Sequence, residues 1–279
     1  MKIKKNIRIE GKHDKPILFD VFYDENSENQ PVVIFAHGFK GFKDWGPWDR
    51  VAETFANAGF CFLKFNFSHN GTTPENPTEF DDLEAFGNNN YCIELDDLNC
   101  VIDWGCSNSE LKTLNSERIY LIGHSRGGGI TILKANEDTR VKKIVTWAAV
   151  SSFSNRISDE EIEQWKKQGV YYMENARTKQ QMPLYIQIYD NYMANEYRLD
   201  ISKAVKNIEQ SFLIIHGTAD PTVPVEEAIL MKKWNNDADL LLIENANHSF
   251  DAVHPFEATE FPADFQKVMD ATIDFLKGN

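Results

Sequence analysis

The twelve residues RIYLIGHSRGGG (118–129) pass from an apolar run through a histidine and a serine into three consecutive glycines. With Gly123 the stretch holds four glycines, and each one inside a regular element loses about 0.5–1 kcal/mol relative to alanine. Residues 118–123 read as a buried strand and GGGITILKANED (127–138) as a helix after it. Between them Gly123, Ser125 and Gly127 form GxSxG, the pattern of a tight strand-to-helix turn that lifts the central hydroxyl clear of the sheet. Such a turn strains the serine backbone and brings strand and helix so close that the flanking positions must be nearly bare. A phosphate loop would need GxxxxGK[ST] and a dinucleotide site GxGxxG; the stretch has neither.

Working outward, further apolar runs read as buried strands: PVVIFAHG (31–38), FCFLKFNF (60–67), KKIVTWAAV (142–150), SFLIIHG (211–217) and DLLLIEN (239–245). NIRIEG and ILFDVFYDE, ahead of them, form a leading hairpin, so the sheet has about eight strands. Helical patterns fall between, at 48–59, 91–105, 224–236 and 262–279. That alternation predicts an α/β architecture with a mostly parallel sheet flanked by helices. Residues 153–207 break the rhythm. They are charged and aromatic, and SDEEIEQWKKQ (158–168) opens with Ser158 and Glu161 at capping-box spacing. The segment is too long for a simple connection. It reads as a helical cap inserted after the sixth strand, dividing a core of residues 1–152 and 208–279.

The 279 residues carry 29 Lys and Arg against 43 Asp and Glu, a net charge of −14. Such a field repels nucleic acid and anionic lipid, so neither is expected as a partner. The basic opening MKIKKNIRIEGKHDK lacks the apolar region of a secretory signal, and no run reaches the roughly 18 apolar residues of a membrane span. A cytoplasmic protein is the expectation. Cys61, Cys92, Cys100 and Cys106 show no metal-binding or CxxC spacing and read as reduced thiols in or near the core.

A serine hydroxyl attacks poorly at neutral pH without a base and a group to orient that base. IIHGTADPTVP puts Asp220 in the loop after one late strand, and LLLIENANHSF puts His248 in the loop after the next. Parallel strands end at one rim, so Ser125, Asp220 and His248 can meet there. His254 competes with His248 for the role of base, and Asp190 and Asp251 compete with Asp220; His37 and His216 read as loop-shaping residues, and His124, next to the serine on the elbow, should point elsewhere. AHGFKGF (36–42) follows the third strand, and its Phe39 N–H with the Arg126 N–H would make a two-donor oxyanion pocket. This chemistry calls for no metal and no organic cofactor, and its rate should fall on acidification as the base takes up a proton.

With HGF at 37–39, GHSRGG at 123–128, HGTAD at 216–220 and NHSF at 247–250, the chain resembles the α/β-hydrolase superfamily from about residue 30 to 277. Within it the likeness is to bacterial serine esterases of the cinnamoyl (feruloyl) type and, more distantly, to dienelactone hydrolases. The resemblance implies Ser125, Asp220 and His248 as a triad, Phe39 and Arg126 as oxyanion donors, and a small-molecule carboxylic ester as substrate. Peptidase or acyltransferase chemistry, or ligand binding without turnover, are the alternatives. Two departures stand out: FSHNGTT (67–73) replaces the RGHG-like stretch after the fourth strand, and Arg126 stands where glutamine is frequent. Trp165, Tyr171, Tyr172, Tyr185, Tyr189 and Tyr192 in the cap would either line an aromatic acyl pocket or fasten the cap to the core.

Overall fold

The structure, a computed structural model, describes residues 1–107, 114–154 and 158–278. The strands β1 (Lys2–Glu10) and β2 (Pro16–Tyr23) form the leading antiparallel hairpin, and β2 pairs antiparallel with β4 (Cys61–Asn66). Beyond β4 every pairing is parallel, through β3 (Gln30–Ala36), β5 (Leu114–His124), β6 (Val141–Trp147), β9 (Ser211–Gly217) and β10 (Asp239–Ile243). The spatial order β1-β2-β4-β3-β5-β6-β9-β10 gives the eight-stranded sheet.

Helices cover both faces, which explains why the central strands are apolar runs and not alternating ones. Along β3, Val32, Ile34 and Ala36 enter one core while Val33 and Phe35 enter the other. The first core is closed by α3 (Tyr91–Ser107), α4 (Arg126–Glu137) and α8 (Val225–Trp234); the second by α1 (Trp48–Asn57) and α9 (Ala263–Lys277). The α3 helix runs past Gly105, where the sequence suggests a stop. Gly105 faces the sheet, and a Cβ there would meet Val32 Cγ1 at an ordinary 3.5 Å.

Between β6 and β9 lie α5 (Asp159–Gln168), β7 (Val170–Glu174), β8 (Gln181–Tyr185), α6 (Gln187–Ala194) and α7 (Ile201–Asn207). The sequence reading gives helices in this segment; the structure adds the antiparallel β7–β8 hairpin, a separate two-stranded sheet. Ser158 and Glu161 form the capping box, each side chain accepting the other's backbone N–H at 3.3 and 2.9 Å. A short α2 (Leu83–Gly87) packs below β8, and Phe80, Phe86, Trp165, Met182 and Leu184 join a third apolar cluster there. In contrast, α7 contributes Ile201, Ala204 and Val205 to the first main core. Residues 155–157 of the insertion lie outside the described residues. Among the described residues, no helix is long and apolar enough to cross a membrane. The four cysteines are free, Cys61 fully buried and the others partly so.

Candidate active site

Ser125 sits between β5 and α4 with φ +56° and ψ −121°, a conformation that costs a non-glycine residue on the order of 1–3 kcal/mol. Three backbone bonds hold it: its N–H donates to Trp147 O at 2.9 Å, and its C=O accepts from Gly128 N at 3.0 Å and from Val150 N at 3.3 Å. The flanking glycines are required by close approach. A Cβ at Gly123 would stand 2.4 Å from Gly127 O, and one at Gly127 would stand 2.4 Å from Ala36 O. Among the described residues the Ser125 hydroxyl makes no hydrogen bond, which leaves it free for a reaction partner.

Asp220 follows β9. Its Oδ1 accepts the N–H groups of Thr222 and Val223 at 2.7 and 2.9 Å, and its Oδ2 lies 2.7 Å from His248 Nδ1. The buried His216 Nε2 donates to Val223 O at 2.9 Å and also lies 3.4 Å from Oδ2. Burial alone would raise the Asp220 carboxyl; the bonds from His216 and His248 outweigh it and hold the group well below the usual carboxylate range. With Nδ1–H committed to the carboxylate, His248 keeps Nε2 as an acceptor. A second tie runs from the elbow: His124 Nε2 lies 3.0 Å from His248 O, and the two rings are 4.8 Å apart. Burial, helped by the neighbouring His248, pushes His124 down to about 3, so it donates as a neutral ring. The competitors are engaged elsewhere. His254 accepts Gly46 N–H and packs against Trp45 and Phe42, while Asp251 accepts from Asn247. Asp190 lies on α6.

The loop after β3 is a tight turn, with Gly41 N–H donating to Gly38 O at 3.0 Å and His37 Nδ1 to the same oxygen at 2.8 Å. Burial pushes His37 down to about 4, keeping the ring neutral. A Cβ at Gly38 would stand 3.0 Å from Ser125 Cβ, so this loop lies directly against the elbow. Neither the Phe39 nor the Arg126 N–H donates a hydrogen bond among the described residues. Both are available to a ligand oxygen.

The Arg126 side chain also contributes. It is buried, with its guanidinium 5.1 Å from the centre of the Phe39 ring and 4.6 Å from that of Tyr91. Glu94 of α3 meets it at two points, Nε to Oε2 at 3.1 Å and Nη2 to Oε1 at 2.8 Å. Sequence reasoning missed Glu94. The signal was present, because Glu94 shares a helical face with Leu98, Val101 and Gly105, and a carboxylate on a buried face demands a partner.

Among the described residues, Asp20, Asp44 and Asp49 are the carboxylates close enough to share a cation, and the Lys64 ammonium already pairs with all three.

The comparisons agree with this architecture. An α/β hydrolase from Penicillium sp. sh18, GrgF, superposes with a TM-score of 0.75 at 15% identity, covering 99% of this chain and 98% of the other. Est1E from Butyrivibrio proteoclasticus, solved with ferulic acid bound, does so with a TM-score of 0.69 at 19% identity, over 97% of each chain. A Mycoplasma genitalium protein provisionally named esterase/lipase 2 is 29% identical over 121 residues, 43% of this chain and 38% of that protein. The chain spans about two fifths of the length of the curated relatives it matches. The fold is that of the α/β hydrolases, and with residues 19–235, well over half of its length, matching the family BD-FAE, the chain belongs to that family.

Proposed function

We propose that the protein is a serine hydrolase that cleaves carboxylic esters. The observation that carries this reading is the His248 Nδ1 to Asp220 Oδ2 bond of 2.7 Å at the rim where the strained Ser125 stands. His248 Nε2 takes the Ser125 proton as Oγ attacks the ester carbonyl, and returns it to the departing alcohol. Asp220 fixes the tautomer and stabilises the imidazolium; the Phe39 and Arg126 N–H groups receive the oxyanion. Water then releases the acid from the acyl-Ser125 intermediate by the same steps in reverse.

Small or aromatic acyl groups, hydroxycinnamoyl among them, suit the surroundings of Ser125. The support is the aromatic wall of Phe39, Phe86 and Tyr91 beside the elbow, together with the ferulic acid bound by the similar Est1E. Residues 153–207 serve as the cap of a core formed by 1–152 and 208–279. Its aromatic residues divide between roles: Trp165 is buried and donates Nε1–H to Leu184 O at 2.8 Å, a fastening contact, while Tyr172 is exposed.

The test is a panel of p-nitrophenyl and hydroxycinnamate esters with wild type beside Ser125→Ala, and a fluorophosphonate probe. Turnover and labelling at Ser125, both lost in the variant, support the reading. A folded wild type that neither hydrolyses the panel nor accepts the probe refutes it.

A further inference from the structure

The two residues assigned above as oxyanion donors touch each other through their side chains. Arg126 lays its guanidinium over the Phe39 ring at 5.1 Å and over the Tyr91 ring at 4.6 Å. Tyr91 is backed in turn by Phe153, the rings 3.9 Å apart and 8° from parallel, and Phe39 by Phe86 at 5.5 Å. A guanidinium held only by rings could slide in its plane; a carboxylate that accepts a hydrogen bond from Nε at 3.1 Å and lies 2.8 Å from Nη2 opposes that movement. Glu94 supplies that carboxylate, and the pair is buried, with side-chain exposures of 10% for Arg126 and 5% for Glu94. Glu94 is itself fixed, since Asn89 Nδ2 donates to its Oε1 at 2.8 Å.

We infer that Glu94 is a positioning residue for the ester hydrolysis proposed above: it anchors the Arg126 guanidinium against Phe39 and so sets the spacing of the two backbone N–H groups that receive the oxyanion. The inference rests on the serine-hydrolase reading and deepens it. A neutral side chain at 126 would need no counter-charge. An arginine buried here does, and the partner that neutralises it also fixes the wall carrying the second donor. Because the donors act on the charge that develops during attack and not on the neutral ester, a loss of spacing lowers kcat and leaves KM nearly unchanged.

The test compares wild type, Glu94→Gln and the double variant Glu94→Gln/Arg126→Gln on p-nitrophenyl acetate, with inhibition by an aryl trifluoromethyl ketone, whose adduct with the serine carries an oxyanion in the same pocket. Glu94→Gln is expected to lower kcat by about 10- to 100-fold, a fraction of the effect of losing a donor outright. KM should stay within about twofold, and affinity for the ketone should fall by the same factor as kcat/KM. The single variant leaves a buried guanidinium without its counter-charge, so its melting temperature falls; the double variant regains stability but not kcat. Glu94→Gln with wild-type kcat overturns the inference, as does a double variant in which kcat returns together with stability, for then Glu94 only balances charge. A wild type that is neither active nor labelled at Ser125 sinks the hydrolase reading itself, and is told apart by its failure before any substitution is made.

Discussion

Asp220 and Asp97 are both buried aspartates in one protein, and their surroundings drive them in opposite directions. Asp220 accepts from Thr222, Val223 and His248, has His216 Nε2 3.4 Å away, and stays ionised far into acid. Replacing it with asparagine keeps the shape but removes the charge that holds His248 in one tautomer, so kcat on aryl esters should fall by roughly a thousandfold or more with KM little changed. A loss under tenfold would show that another group orients the imidazole. Asp97, on α3, accepts the Ser68 N–H at 2.7 Å through Oδ2, while Oδ1 has no partner among the described residues. Burial pushes its carboxyl up to about 7, partly relieved by the Ser68 bonds and reinforced by Glu94 and Asp96. The folded state therefore binds a proton that the unfolded chain has released above about 4, so this group's contribution is favourable in acid and is lost as pH rises to 7. Asp97→Asn keeps an acceptor for Ser68 and cannot ionise. Its melting temperature should exceed wild type most at pH 8, with the advantage shrinking as pH falls from about 7 towards 4. An advantage that does not vary with pH would assign the effect to packing instead.

The sheet elements were legible because burial on both faces writes a strand as an apolar run, and the elbow because GxSxG requires glycines on either side of the serine. Asp220 and His248 could be picked out by their places after late strands, since a parallel sheet delivers its strand ends to one rim. The β7–β8 hairpin was not legible. VYYME leaves its side chains largely exposed, and the strand is stabilised by pairing with β8 and by a small local cluster, so it carries no apolar periodicity. Glu94 escaped for a related reason: its partner lies 32 residues away in sequence and is met only through the tertiary fold. The separateness of the third cluster has a measurable consequence. Trp165 joins α5 to the hairpin through its ring and its bond to Leu184 O, and neither main core includes it. Trp165→Ala should therefore speed amide exchange across 159–185 by at least about tenfold while β3, β5 and β6 keep wild-type protection. Uniform loss of protection across the sheet would mean that the segment and the core unfold as one unit.

At the scale of the whole molecule, the leading hairpin is tied to the parallel sheet by charge as well as by strand pairing. Lys64 of β4 and Lys43 of the loop after β3 are both buried, and both ammonium groups reach Asp20 of β2 at 2.8 Å. Lys64 also pairs with Asp44 and, at 2.7 Å, with Asp49 of α1. Four parts of the chain thus meet at one ammonium. Burial opposes ionisation of Asp20, yet the two lysines outweigh it and hold the carboxyl below its ordinary value. None of this was visible in sequence, where Lys64 is the single charged residue inside FCFLKFNF and its three partners are scattered from 20 to 49. Removing Lys64 leaves Asp20 and Asp44 sharing the Lys43 ammonium, a charge imbalance in a buried network that costs up to about 3–5 kcal/mol. Lys64→Met should lower unfolding free energy in urea by that order. Adding Asp20→Asn should recover part of the loss, because Lys43 then balances Asp44 alone, at 2.7 Å, in place of two carboxylates. If the two substitutions instead add, the carboxylate and the ammonium act independently, and strand pairing alone joins the hairpin to the sheet.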